Sequence, residues 1–119
     1  MISLGSDYEL RAQQWLQGRG MQILATNFSG KTGEIDIVAR DGDYLVFVEV
    51  RARSNRAYNT AAGSVDRRKQ RRIVRTAQLF LQRHQTLGQL PCRFDVVAFE
   101  PPQSGSKLAI RWIPGAFTA

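Results

Sequence analysis

With a single cysteine, Cys92, the chain can form neither an intramolecular disulfide nor a cysteine metal cluster, and with a single histidine, His84, it cannot build a His-rich zinc site. Any metal would have to be held by oxygen ligands. Long apolar runs are missing too. Nothing approaches the roughly 20 apolar residues of a membrane span, and Met1-Ile2-Ser3-Leu4-Gly5 lacks the basic and apolar stretches of a secretory leader. The expectation is a cytoplasmic protein with no membrane partner. Acids are in deficit: 10 Asp and Glu stand against 17 Lys and Arg, a net charge of +7 and a pI near 10.5. That imbalance favours a polyanionic partner, nucleic acid before an anionic membrane surface. Lysine is scarce within the basic set, with only Lys31, Lys69 and Lys107. Arginine's planar fork matches phosphate oxygens, although genome composition would give the same bias.

What is present is ordinary for a globular protein, 43% hydrophobic and 23% charged over 119 residues, and the length suits one domain spanning 1–119. Tyr8, Ala12, Trp15 and Leu16 recur at helical spacing, so Ser6 to Gly18 is predicted as a helix. Ser6-Asp7-Tyr8-Glu9 has the capping-box pattern, and Gly18 or Gly20 supplies the stop. Met21 to Asn27 is predicted as a strand ending in a loop, Asn27 to Gly33. Glu34 to Arg40 and Tyr44 to Arg53 are predicted to form a hairpin about Asp41-Gly42. After a polar loop, Ser54 to Gly63, Ser64 is a candidate N-cap for a helix reaching about His84, buried through Ile73, Ala77, Phe80, Leu81 and His84. Arg93 to Glu100 and Leu108 to Ile113 are predicted as strands joined by a turn at Gln103 to Lys107. The order is α-β-β-β-α-β-β.

Two acids stand out. Asp36 lies among Ile35, Ile37, Val38 and Ala39, and Glu49 lies inside Val46-Phe47-Val48-Glu49-Val50, an almost continuously apolar run suited to a central strand covered on both faces. Carboxylates are depleted in strand interiors and rarely buried unless paired or bound to metal. A two-residue Asp41-Gly42 turn would pair Arg40 with Asp43 and set Glu34 opposite Glu49. Glu34, Asp36, Phe47, Glu49 and Arg51 would then share one face, with Asp36 and Glu49 diagonal neighbours about 7 Å apart or less. A four-residue turn would set Asp36 directly across from Glu49, and a three-residue turn would separate them. Clustered carboxylates call for a countercharge. A divalent, oxygen-preferring cation such as Mg²⁺ would provide it and bridge to phosphate; the alternative is an ion-pair network with Arg51 or Arg40.

Asp36, the turn, and Glu49-Val50-Arg51 on the next strand resemble the PD-(D/E)xK nuclease signature. More closely, the chain resembles the YraN-like family, a bacterial group with a nuclease-like fold. The resemblance rests on Gly33-Glu34-Ile35-Asp36-Ile37, Leu45 to Arg51, Arg93-Phe94-Asp95-Val96-Val97, Ala12 to Leu16, and Ser64-Val65 through Lys69-Gln70. It implies an α/β, restriction-endonuclease-like α-β-β-β-α-β core, a mixed central sheet flanked by helices, with an extra C-terminal strand. It also implies a metal-dependent endonuclease acting on DNA, possibly branched or damaged, as in the Holliday-junction-resolvase-like branch. Asp36 and Glu49 would ligate Mg²⁺ or Mn²⁺ with the backbone carbonyl of Val50, and Glu9 would be an outer acid. Lys69 or Gln70 would orient water or phosphate. The plainer roles are the capping box for Glu9 and a solvated helix face for Lys69 and Gln70. Where the signature has lysine, this chain has Arg51, which is always charged and can steady a phosphate but not act as a base.

The second helix opens with Arg67, Arg68, Lys69, Arg71, Arg72 and Arg75, six cations in nine positions. Counting residues 51–83, ten cations face one acid, Asp66. Stacked like charges weaken a helix, and a phosphate backbone would relieve them and release counterions. With Arg53 and Arg56 these arginines form the candidate nucleic-acid surface, DNA ahead of RNA, read by backbone or shape because no base-reading motif is present. A homodimer would let both strands be reached. The alternatives are a non-catalytic binding module on the same scaffold and an adaptor whose basic helix meets an acidic protein.

Overall fold

The computed structural model describes residues 4–52, 65–100 and 109–119, with side chains from Asp7 onward. Arg53, Arg56, Tyr58 and the expected Ser64 cap lie outside the described residues, as do the loops expected at 54–63 and 103–107. The elements are α1 (Leu4–Gly18), β1 (Gln22–Gly30), β2 (Gly33–Asp41), β3 (Tyr44–Ala52), α2 (Arg67–Arg83), β4 (Cys92–Glu100) and β5 (Ala109–Phe117), with a 3-10 turn at Gln85–Gln89. This is the α-β-β-β-α-β order of a restriction-endonuclease-like core followed by an additional C-terminal strand. The five strands form one mixed sheet in the order β1-β2-β3-β4-β5. Only β3 and β4 run parallel, and α2 lies in the crossover between them.

Each helix covers one face. On the α2 side, Ile73, Ala77 and Phe80 pack over Val38, Leu45, Phe47, Phe94, Val96 and Ala98. On the α1 side, Ala12 and Leu16 pack over Ile37, Ala39, Val46, Val48, Val97 and Phe99. Period-two alternation along β3 and β4 thus sorts their side chains between the two layers. Both strands are buried over most of their length, as central strands of a two-sided sheet must be. No helix among the described residues is long and apolar enough to cross a membrane.

Four boundaries differ from expectation. The first helix starts at Leu4, so Ser6 lies inside it rather than at its cap. β1 continues through Asn27 to Gly30, because Phe28 packs into the α2-side core and Gly30 pairs with Gly33. The N-cap of α2 is Asp66, whose carboxylate accepts from Lys69 N at 2.8 Å. β5 runs past Pro114 to Phe117, which proline tolerates because β5 is a sheet edge. At the other end of α2, His84 is exposed rather than buried and stacks on Phe80, 4.1 Å between centroids.

Candidate functional site

The hairpin turn is Gly42-Asp43, closed by the pair Asp41↔Tyr44, with Gly42 at φ 58°. Two-residue hairpin loops favour positive φ at the first position, which glycine accepts without steric cost. Arg40 Nε donates to Gly42 O at 3.0 Å, so this guanidinium braces the turn. The ladder continues through Arg40↔Leu45 to Ile37↔Val48. This is the register expected of the four-residue turn, and one further step brings Asp36 across from Glu49.

Asp36 stands where that ladder ends. Its Oδ2 accepts a hydrogen bond from Val50 N at 2.8 Å and ties the two strands together there. Strict alternation also fails at this rung. Ile35 and Val38 pack toward α2, whereas Ile37 and Ala39 pack toward α1. The facing strand breaks step as well: Ala25 and Phe28, three apart, both pack toward α2, and Asn27 between them has φ 52°. Asparagine accepts this left-handed conformation more readily than most L-residues. Because both strands turn together, the flanking pairs Thr26↔Ile37 and Phe28↔Ile35 keep one register.

The turn in both strands separates acids that simple alternation puts on one face. Glu34 joins Glu9 of α1 and Asp36, with one carboxylate oxygen from each lying within 4.8 Å of the others. Asn27, with its amide nitrogen toward the acids, donates to Glu9 Oε2 at 2.9 Å and to Glu34 Oε1 at 3.0 Å. Burial raises the pKa of Glu9, reinforced by the charges of Asp36 and Glu34 and by a hydrogen bond with Asp36. Glu49 faces the α2 side instead, where Lys69 Nζ approaches its Oε1 at 2.6 Å. Burial and the Asp36 charge push Glu49 up to about 7, against the opposing pull of Lys69 and Arg51. Asp36 therefore acts on both groups, raising the pKa of Glu9 on one side and of Glu49 on the other.

The other expected residues divide. Lys69 and Arg51 both act on Glu49, whereas Gln70 Nε2 donates to Val65 O at 2.9 Å and braces the entry to α2. Arg67, Arg68, Arg71, Arg72 and Arg75 are all exposed and have no carboxylate partner among the described residues. Clefts open between them: Arg68, Arg71, Arg72 and Arg75 line one, and Arg67, Arg71 and Arg75 line another against Phe117 and the residues after it. A basic first turn opposes the helix dipole, and the Asp66 cap and Glu49 offset part of that cost.

Two members of the acidic group were not expected as site residues. Glu34 carried a signal, since it sits two residues before Asp36. Asn27 carried none beyond asparagine's tolerance of positive φ. A further acid, Asp95, is fully buried and accepts from Arg93 Nε, Trp112 Nε1 and Gly115 N, each at 2.9 Å. It fastens β5 to β4.

Residues 8–99 match the model of the uncharacterised protein family UPF0102. The chain belongs to that family. Its UPF0102 relatives include proteins of Alcanivorax borkumensis, 46% identical over 113 residues, and of Pseudomonas putida, 44% identical over 113 residues. Another, from Xylella fastidiosa, is 47% identical over 113 residues. Each of these alignments covers 95% of this chain and 90% of the relative. The UPF0102 match takes in every described carboxylate of the site and the whole of α2, so the site belongs to the family's shared region.

Proposed function

We propose that this UPF0102 protein binds nucleic acid and is a metal-dependent endonuclease of the PD-(D/E)xK type, hydrolysing phosphodiesters in branched or damaged DNA. The observation that carries this reading is the position of Asp36, close to Glu9 and acting on Glu49, beside a helix whose exposed arginines have no acidic partner among the described residues. One carboxylate oxygen from each of Glu9, Glu34 and Asp36 lies within 4.8 Å of the others, so their negative charges repel and call for a countercharge. An oxygen-only donor set short of countercharge fits Mg²⁺ or Mn²⁺. Asp36, with Glu9 and Glu34 around it and Glu49 alongside, would hold the ion. When bound, such an ion supplies Lewis acidity toward a phosphate oxygen and lowers the pKa of water.

The chain's own residues then divide the remaining work. Lys69 reaches the buried glutamate from α2 and is one-third exposed, so its ammonium can turn to a phosphate oxygen. It offers the titratable cation that Arg51 cannot, and Arg51 steadies developing negative charge. The arginines of α2 seat the backbone. The test is cleavage with Mn²⁺ of linear, flapped and four-way DNA by wild type and Glu49→Ala. Loss of products in the variant is expected, and identical products from both proteins would remove the catalytic assignment.

One observation favours a second reading, a binding module without turnover. Glu49 is already neutralised by Lys69, and Asp36 is engaged with Val50 N. Calorimetric titration separates the two. An enzyme binds Mn²⁺ and loses it in Asp36→Ala, whereas the module binds DNA with no metal uptake.

A further inference from the structure

Along α2, at about 100° per residue, Arg68, Arg72, Arg75, Leu79 and Arg83 fall on one stripe. Leu79 is its one apolar member, and the β1–β2 turn packs at that point. Gly30 abuts the Leu79 side chain so closely that a Cβ on residue 30 would overlap it. Thr32 Oγ1 bonds Thr76 Oγ1 at 2.8 Å, and Thr76 Oγ1 in turn donates to Arg72 O at 2.8 Å. This double anchoring places Lys31 beside the gap in the stripe. Lys31, Thr32, Arg75, Gln82 and Arg83 line one cleft, and Arg75 is shared with the cleft of Arg68, Arg71 and Arg72. The result is a continuous cationic row from Arg68 to Arg83, with no Asp or Glu side chain among the described residues that line it.

The geometry points to a second role for the β1–β2 turn: Lys31 and Arg83 form the far end of a track that holds one arm of a DNA duplex leading away from the carboxylates. This rests on the endonuclease reading above and adds a direction and a substrate form to it. Fifteen helical steps from Arg68 to Arg83 span about 22 Å, the rise of about six to seven base pairs at about 3.4 Å each. The row is straight because it follows a helix. No aromatic side chain is among the described residues lining the two clefts. Of the nearby rings, Phe28 lies under the Arg83 guanidinium and Phe117, in the neighbouring cleft, stacks on Phe94. The row itself thus offers bases no stacking platform, and a single strand would forgo a main source of affinity. A duplex keeps its bases stacked inside and presents only phosphates.

The test is fluorescence anisotropy of a 20-base-pair duplex across a range of NaCl in EDTA, where no cleavage can occur. Lys31→Gln/Arg83→Gln removes two phosphate contacts, so the slope of log K against log salt should shrink by about 1.8 and affinity at 0.1 M salt should fall on the order of 50-fold. Arg11→Gln/Arg19→Gln changes net charge equally, but on α1 and the turn that follows it, across the sheet, and should retain the wild-type slope. If Arg83→Gln disturbs folding, judged by circular dichroism, Lys31→Gln alone should reduce the slope by about 0.9. Equal slopes for the two double variants would overturn the inference, and so would a 20-nucleotide single strand bound as tightly as the duplex. The two proposals fail separately. A reduced slope in a protein that never cleaves with Mn²⁺ upholds the track and sinks the nuclease, and cleavage with an unaltered slope does the reverse.

Discussion

Replacing Glu49 with glutamine should stabilise the protein above neutral pH. Glu49 is buried, with 7% of its side chain exposed, and titrates near 7 in the fold against 4.5 for a free glutamate. A raised carboxylate pKa means that the folded chain holds the proton more tightly than the unfolded one. Between those two values the unfolded state binds fewer protons, so stability falls as pH rises through the window. From pH 5 to pH 8 the ionisation of this one group removes about 2.5 kcal/mol from wild type. Glutamine resembles the protonated acid in shape and does not titrate. Glu49→Gln should therefore match wild type near pH 5 and exceed it by about 2 kcal/mol at pH 8, allowing for the loss of Lys69's partner, which can turn to solvent. Urea denaturation of both proteins at pH 5, 6.5 and 8 reads this directly. Mg²⁺ at pH 8 should recover part of the wild-type deficit and do less for the variant. If the stability difference between the two proteins stayed flat from pH 5 to pH 8, the account of Glu49 as an ionised group held at a cost would be wrong.

The remaining expectations concern the frame around that site. Asp95→Asn leaves Arg93 facing an amide in a fully buried position and weakens a carboxylate with several donors, so denaturation at pH 7 should show a loss of about 3–5 kcal/mol. Asp66→Ala removes the α2 cap beneath an all-basic first turn and should cost about 1 kcal/mol, with the helix fraying from Arg67 in amide exchange. Lys69→Gln deprives Glu49 of its strongest favourable partner, so the pH window of instability should begin at the same unfolded value and extend above 7; a window unchanged from wild type would mean that the pair does not form in solution.

The parts of this molecule that were legible in sequence are those governed by periodicity. The hydrophobic stripes of α1 and α2 and the near-continuous apolar run of β3 follow from burial on fixed repeats and on two faces, so the element order and the two-sided sheet could be read directly. Asp36 and Glu49 stood out because a carboxylate in an apolar strand needs a partner. Hidden were features set by single residues acting across the fold. Ser64 and Asp66 are both acceptable caps by residue type, and only the bond from Asp66 to Lys69 N identifies the one at work. The hairpin register depended on whether Asp41 or Arg40 closed the turn, a choice that sequence left open and Arg40's bond to Gly42 O helps to fix.

The least legible feature is the one on which the site depends. Had β1 and β2 kept strict alternation, Glu34 would have lain on the same side as Glu49, and Glu9 would have faced no partner from β2. The shared turn at Asn27 and Asp36 carries Glu34 to α1 and leaves Asp36 between the two layers, beside Glu9 and bonded to Val50 N. A left-handed residue inside a strand costs of order 1–3 kcal/mol and persists only where the surroundings hold it. Here the hydrogen bonds from the Asn27 amide to Glu9 and Glu34 do so, which means that the acids help to hold the distortion that gathers them. On the endonuclease reading proposed above, strain and repulsion concentrated on one rung of an otherwise regular sheet are what a metal-holding site would retain at a cost in stability, and that reading puts the ion where the two strands part.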